Sequence, residues 1–282
     1  MKKLIIFVLF VAAYQLNGQF KITSVSPSIY YTSGNYSNFN SSSSVSIYST
    51  LQINTFDFLT LGLDNLVISS KEWEYDQNMF VAGFINNLFP FFIKANYAHI
   101  NGDYNYLPQQ YSYTDKINIL NFGLAFNYDL FYFGGNYSYM DLIGFKSTVS
   151  RNYELLFSWV ASPDYQITLL PTHTNLGDGR KLYSATLSLS GKPFNKTHFQ
   201  IDGTLGERAY YFNSSSLTMF NQDETQTKAI LARIEFDASE NFKLSVQYLY
   251  ASFSPAPFSF TSVSSYSIQY LTAGVKIKFA SN

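Results

Sequence analysis

Leu120-Asn121-Phe122-Gly123-Leu124-Ala125-Phe126-Asn127-Tyr128 places a large apolar side chain at every even position and a small or polar one at every odd position. Side chains on an extended strand point alternately to opposite faces, so this spacing gives the segment one greasy face and one small, polar face. A helix would bring Leu120 and Leu124 together and scatter the rest around its circumference. The segment therefore reads as a strand between two unlike surroundings.

The same rhythm extends in both directions. Phe131, Phe133, Tyr137 and Tyr139 alternate with Tyr132, Gly134, Asn136 and Ser138, and Tyr153, Leu155, Phe157 and Trp159 repeat the pattern. Tyr183 to Ser190, Phe199 to Leu205, Ile230 to Asp237, Phe242 to Tyr250 and Leu271 to Phe279 follow. Short turns are expected at 54–57, 88–91, 128–131, 161–164, 191–196 and 238–241. Longer polar segments are expected between them, at 33–44, 69–77, 101–114, 140–150, 174–180, 212–227 and 253–266. The strands so bounded number about 14, with short turns at one end and longer loops at the other, as in transmembrane barrels. Two regions fit the rhythm less well. Phe80 to Leu88 is apolar on both faces, and Pro27 and Pro171 suggest a bulge or a strand end where they fall.

Composition decides what faces the greasy side. Aromatic residues make up 19% of the chain, with 24 Tyr and 27 Phe, while charged residues fall to 13%. That is about half the charged share of a soluble domain, so a secreted sandwich or small-molecule-binding barrel would lack the charges to coat its outside. Mean hydropathy is only −0.05. After the N-terminus no stretch is apolar for the roughly 18 residues a membrane helix needs. One lipid-facing and one polar face per strand, with Tyr at both interfaces, gives this average. The expected fold is all-β: a single antiparallel transmembrane β-barrel over residues 19–282, with short periplasmic turns and longer extracellular loops.

Residues 1–18 read as a secretory signal. Lys2 and Lys3 are followed by the apolar run Leu4 to Ala13 and by Leu16-Asn17-Gly18 before Gln19, where cleavage is expected. The chain contains no Cys, which leaves no residue to acylate, no disulfide framework and no thiolate nucleophile or metal ligand. Net charge of −1 gives no basic field for nucleic acid.

The last strand, Gly274-Val275-Lys276-Ile277-Lys278-Phe279, alternates and closes on an aromatic. In this it resembles the C-terminal assembly signal of bacterial outer-membrane β-barrel proteins of porin-like type, with Val275, Ile277 and Phe279 as the matching positions. In that family the aromatic usually ends the chain, whereas here Ala280, Ser281 and Asn282 follow. The resemblance implies an outer-membrane location, contact with outer-membrane lipid and delivery by a barrel-assembly machinery. It implies no activity.

Phase assigns the polar face to a lumen. Lys94, Asn96, Glu154, Gln200, Asp202, Arg208, Arg233, Glu235, Asp237, Lys243, Gln247, Lys276 and Lys278 fall on it. Mixed charges there would tune passage of polar solutes. Alternatively, Asp202, Arg208, Arg233 and Glu235 pair with one another to satisfy buried charge. About 14 strands would leave a modest lumen, wider than 8-stranded barrels and narrower than 16-stranded porins. Of the outer segments, 212–227 and 101–114 are long enough to dip into it.

An enzyme is not expected. His99, His173 and His198 are far apart in sequence, with His173 beside Thr172 and Thr174 the best of weak candidates. No phosphate loop, nucleophile elbow or metal spacing is present, so neither cofactor nor metal is expected. Ser33 to Ser44 reads as a solvated outer loop, with carbohydrate binding through Tyr36 and Phe39 as the sharper alternative. The leading expectation is a pore-like channel for small polar solutes. The alternative is a non-conducting barrel in a secretion, polysaccharide-export or anchoring complex of the envelope, and an outer-membrane hydrolase comes third.

Overall fold

A computed structural model describes residues 22–38, 40–108, 111–144, 147–213, 218–220, 223–255 and 265–280. The signal segment 1–18 and the cleavage point before Gln19 lie outside the described residues. The strands are β1 (Ile22–Tyr36), β2 (Ser41–Ile53), β3 (Asp57–Ser69), β4 (Trp73–Asn86), β5 (Phe91–Tyr106), β6 (Tyr111–Tyr128), β7 (Phe131–Ile143) and β8 (Thr148–Ser162). They continue as β9 (Tyr165–Leu176), β10 (Lys181–Phe194), β11 (Thr197–Arg208), β12 (Tyr211–Asn213), β13 (Thr218–Phe220), β14 (Thr225–Ser239), β15 (Phe242–Ser254), β16 (Tyr266–Ile277) and β17 (Phe279–Ala280).

Each long strand pairs antiparallel with the next, and β16 pairs back onto β1, so the sheet closes on itself. The sheet holds 15 strands, of which β17 only continues β16 along β1, leaving fourteen staves. Closure removes the sheet edges that an apolar medium could not hydrogen-bond. β12 and β13 pair only with each other, as a small hairpin in the β11–β14 connection.

The outward face is the apolar one. Leu63 is 62% exposed, Leu187 57% and Ile234 57%, alongside Ile47, Leu124, Leu155, Val246 and Leu271. Such a continuous apolar circumference has lipid, not water, as its stable neighbour. Aromatic residues rim it at both ends. Phe91, Phe126, Phe131, Trp159 and Phe194 mark the short-turn end, and Tyr137, Tyr153 and Tyr183 sit toward the other. Their amphipathic rings suit the two interfaces.

Two local expectations change. Pro27 and Pro171 cause neither a register shift nor a strand end: Pro27 pairs with Ser49 and Pro171 with Ala185. Each instead leaves a gap on its other flank, where the missing N–H falls. Opposite Pro27 the ladder breaks between Ser28↔Lys276 and Val25↔Phe279, and this separates β17 from β16. Opposite Pro171 it breaks between Glu154↔Thr172 and Phe157↔Leu169.

The second correction concerns the long polar segments. Most are strand: β5 runs to Tyr106 and β6 begins at Tyr111, so the described residues of this segment, 101–108 and 111–114, belong to a hairpin wall and do not dip inward. Likewise Ser33 to Ser44 is largely β1 and β2, with a turn at 37–38; Phe39 lies outside the described residues. Polar strand ends extend the wall beyond the lipid belt, and their polarity reflects water outside, not loop structure.

Candidate functional site

Even-numbered positions of β1 to β3 and β5, and odd-numbered positions of β4 and β6, point inward, and the ladder registers carry this phase around the barrel. Tyrosine and glycine alternate across neighbouring strands on part of this wall. The Tyr48 ring lies over Gly62 and the Tyr30 ring over Gly274, each occupying the space a Cβ would need. Flat rings lying against the wall leave the axis less obstructed than rings standing across it.

Along the barrel axis the interior divides in two. Toward the long-loop end it is apolar. Met79, Val81, Ala98, Ile100, Ile117, Ile119, Met140, Leu142, Leu176 and Leu182 line one side, and Ile68, Ala229, Leu231, Leu249, Ala251, Phe253 and Ile268 the other. Between them lies a piece of the β11–β14 connection. Ala209, Tyr210 and Phe212 pack into the first cluster and Tyr211 into the second, all at 7% exposure or less. The connection therefore folds into the lumen and joins opposite walls. Fully burying each large ring contributes roughly 1.5–3 kcal/mol.

Polar contacts fix this closing segment. Tyr211 Oη donates to Glu154 Oε2 at 2.9 Å, while Asn136 Nδ2 donates to Glu154 Oε1 at 2.8 Å. Asn152 Nδ2 donates to the Tyr210 carbonyl at 3.4 Å, and Thr174 Oγ1 to Asn152 Oδ1 at 2.6 Å. Arg208, buried at the foot of the segment, donates through Nε to Gln226 and places its guanidinium 4.3 Å over the Tyr211 ring. Near the far end Arg180 holds Asp178 at 2.7 Å and Asp223 at 2.6 Å, tying the segment's return limb to the β9–β10 turn.

Below the closure the interior opens into a chamber of 340 Å³ of mixed lining, with Leu66, Met79 and Leu249 at its apolar end. Ser28, Tyr30, Ser44, Tyr48, Asp64, Arg233, Glu235 and Lys276 are among its lining residues. Two further cavities, of 290 Å³ and 550 Å³, adjoin it toward the short turns. The first shares Thr50 and Lys276 with the chamber and reaches the 240–241 turn; the second shares Arg233 and Glu235 and reaches Pro163 and Asp164. The chamber thus adjoins the cavities of the short-turn mouth and is capped by the apolar zone at its other end.

The lumenal residues expected from phase take the following places. Arg233 Nε and Nη2 donate to Gln247 Oε1 at 2.9 and 2.6 Å. Lys243 reaches Glu235 at 3.1 Å and Asp237 at 3.3 Å, and His198 Nε2 lies 3.2 Å from Asp237. Gln200 Nε2 donates to Asp202 at 2.9 and 3.0 Å. Lys94 has no hydrogen bond or ion pair among the described residues, though its neighbour Asn96 donates to Asn121 at 2.8 Å. Lys278 lines the mouth cavity. Asp202, Arg208, Arg233 and Glu235 do not pair with one another, because neutral amides and Lys243 take their place. Val275, Ile277 and Phe279 lie on the closing strand, with Ile277 38% and Phe279 57% exposed.

The histidines are dispersed. His173 stacks between Tyr153 and Tyr183, at 6.2 and 4.5 Å between ring centroids, on the face opposite Thr172 and Thr174. Those threonines point inward, so they cannot meet its imidazole. His99 Nδ1 contacts Asn118 at 3.0 Å. Among the described residues no group of three or more His, Cys, Asp or Glu is placed to hold a metal ion.

A closed fourteen-stranded antiparallel barrel with an apolar outer belt, aromatic rims and an interior that is polar toward the short turns defines the chain as an outer-membrane β-barrel in fold. Solved structures of the same architecture agree. The barrel is similar to the CymD monoaromatic hydrocarbon channel, with a TM-score of 0.61 and 8% identity over 93% of this chain and 90% of that one. It is also similar to the toluene transporter TodX of Pseudomonas putida, with a TM-score of 0.53 and 7% identity over 95% and 91% of the two chains. No family model and no curated protein matches the sequence.

Proposed function

We propose that this barrel is a gated outer-membrane channel for small polar solutes, with residues 208–212 as its closure. The observation that carries this reading is the chamber. Hydroxyls and charges of both signs contribute to the lining of a 340 Å³ space that adjoins cavities at the short-turn mouth, and one inward-folded segment stands between it and the other end. Were the interior only structural filling, the apolar packing would be expected to continue down the axis instead of giving way to solvated polar side chains. CymD and TodX are described as a channel and a transporter, which supports passage through this architecture. Their hydrocarbon cargo is not carried over, since at 7–8% identity the likeness is one of fold.

Swelling of proteoliposomes in arabinose tests the proposal. The intact barrel is expected to admit the sugar slowly, and a barrel in which 209–224 is replaced by a short Gly/Ser linker to admit it quickly. Swelling no faster than protein-free liposomes in both cases, with folding verified by heat-modifiable gel mobility, would overturn it. That result would favour a non-conducting envelope component, a reading that the apolar closure also supports.

A further inference from the structure

The chamber's charges are not equivalent. Of the two carboxylates that line it, Glu235 is held by Lys243 at 3.1 Å and Asp64 accepts from the Ser46 hydroxyl. The two cations that line it have no carboxylate within ion-pair distance among the described residues. Arg233 is bonded only to the neutral Gln247, and Lys276 has neither a hydrogen bond nor an ion pair. Neither cation therefore carries a fixed counter-charge, which suits both to meeting an anion that enters the chamber. Gln247 occupies Arg233 Nε and one position on Nη2, leaving the end of the guanidinium fork available to a planar acceptor.

We infer that Arg233 and Lys276 form a binding site in the chamber for a small hydroxylated carboxylate, of the size and kind of a monosaccharide acid. The free end of the Arg233 fork supplies the contact for its carboxylate, and Lys276, four positions along β16 from the Thr272 row, adds positive charge to the same chamber. Tyr30 and Ser44, whose hydroxyls have no partner among the described residues, face the same space and suit a polyol. The volume of 340 Å³ lies at the small end of ligand pockets, which run from about 300 to 1,000 Å³. This selects a single ring-sized solute over an oligomer. The inference rests on the chamber being the solute path, but binding and passage are separable measurements.

Isothermal titration calorimetry on the refolded barrel in detergent, with D-glucuronate as probe and D-glucose as its neutral counterpart, tests the site. Glucuronate is expected to bind about tenfold or more tighter than glucose, the ratio expected when a charged hydrogen bond is lost. Arg233→Gln and Lys276→Gln should each remove most of that preference. Lys94→Gln, which removes a lumenal cation outside the chamber, should leave it intact. Equal affinity for the two sugars, no binding of either, or an equal loss in Lys94→Gln would overturn the inference; the first two outcomes need no variant to fold. Glucuronate binding with no swelling in either barrel would instead retain the site and remove the channel. Swelling without a glucuronate preference would do the reverse.

Discussion

If the segment 208–212 is a closure held mainly by burial, weakening its packing must open the barrel by a calculable factor. Phe212 is 3% exposed and sits in the cluster with Met79, Ile100, Ile119 and Met140. Cutting its ring to a methyl removes about 3 kcal/mol or more of packing from the docked state. None of this packing exists when the segment has left the lumen. At about 1.4 kcal/mol per tenfold, Phe212→Ala should shift the ratio of open to closed barrels roughly 100-fold toward open. Single-channel recording in planar bilayers reads this as open probability at unchanged unit conductance, because the chamber below is untouched. Leu205→Ala is the control: Leu205 is on the preceding strand but faces outward at 71% exposure, and should change nothing. Open probability in Phe212→Ala equal to that of the unaltered barrel would refute the closure, and so would an equal rise in Leu205→Ala.

Other predictions follow from the same geometry. Tyr211→Phe keeps the ring but deletes the 2.9 Å hydrogen bond to Glu154, so open probability should rise about tenfold, less than for Phe212→Ala. Gly62→Ala drives a methyl into the Tyr48 ring and should cost about 1–3 kcal/mol in urea unfolding from micelles, with no change in the outward face. Leu155→Arg puts a cation on the lipid belt between the Tyr153 and Trp159 positions and should cost roughly 2–4 kcal/mol in bilayer refolding; a value near zero would mean that this face does not meet lipid.

Much of the barrel was legible because lipid demands one apolar side per strand. Leu120 to Tyr128 shows that demand plainly, and the count of staves follows from repeats of it. The interior was legible only where it is polar. Asn121 and Gly123 reveal the inward face of β6, but Ile117 and Ile119, four and two residues before Asn121 on the same face, are apolar like Leu120 beside them. Alternation disappears when both faces are greasy, which is also why Phe80 to Leu88 gave a weak signal around the inward Val81. Those blurred stretches were themselves the sign of an apolar zone inside the barrel. The closing segment left a fainter trace: Tyr210-Tyr211-Phe212 is an unusual run for a solvated loop, but only the tertiary fold shows that it turns inward. Partners of the lumenal charges were not legible, because neighbours across a strand depend on register. The pairing of Lys243 with both Glu235 and Asp237 joins residues that a one-residue slip would turn to opposite faces.

The absence of native cysteine makes the most direct test simple. A single thiol placed at Ser44→Cys in the chamber wall, in a barrel whose 209–224 connection is shortened, would be treated with a membrane-impermeant anionic methanethiosulfonate during single-channel recording. If the chamber is the conducting path, the current should fall stepwise on modification and recover on reduction. A steady current with the thiol fully modified, or a folded barrel that carries no current, would contradict the account.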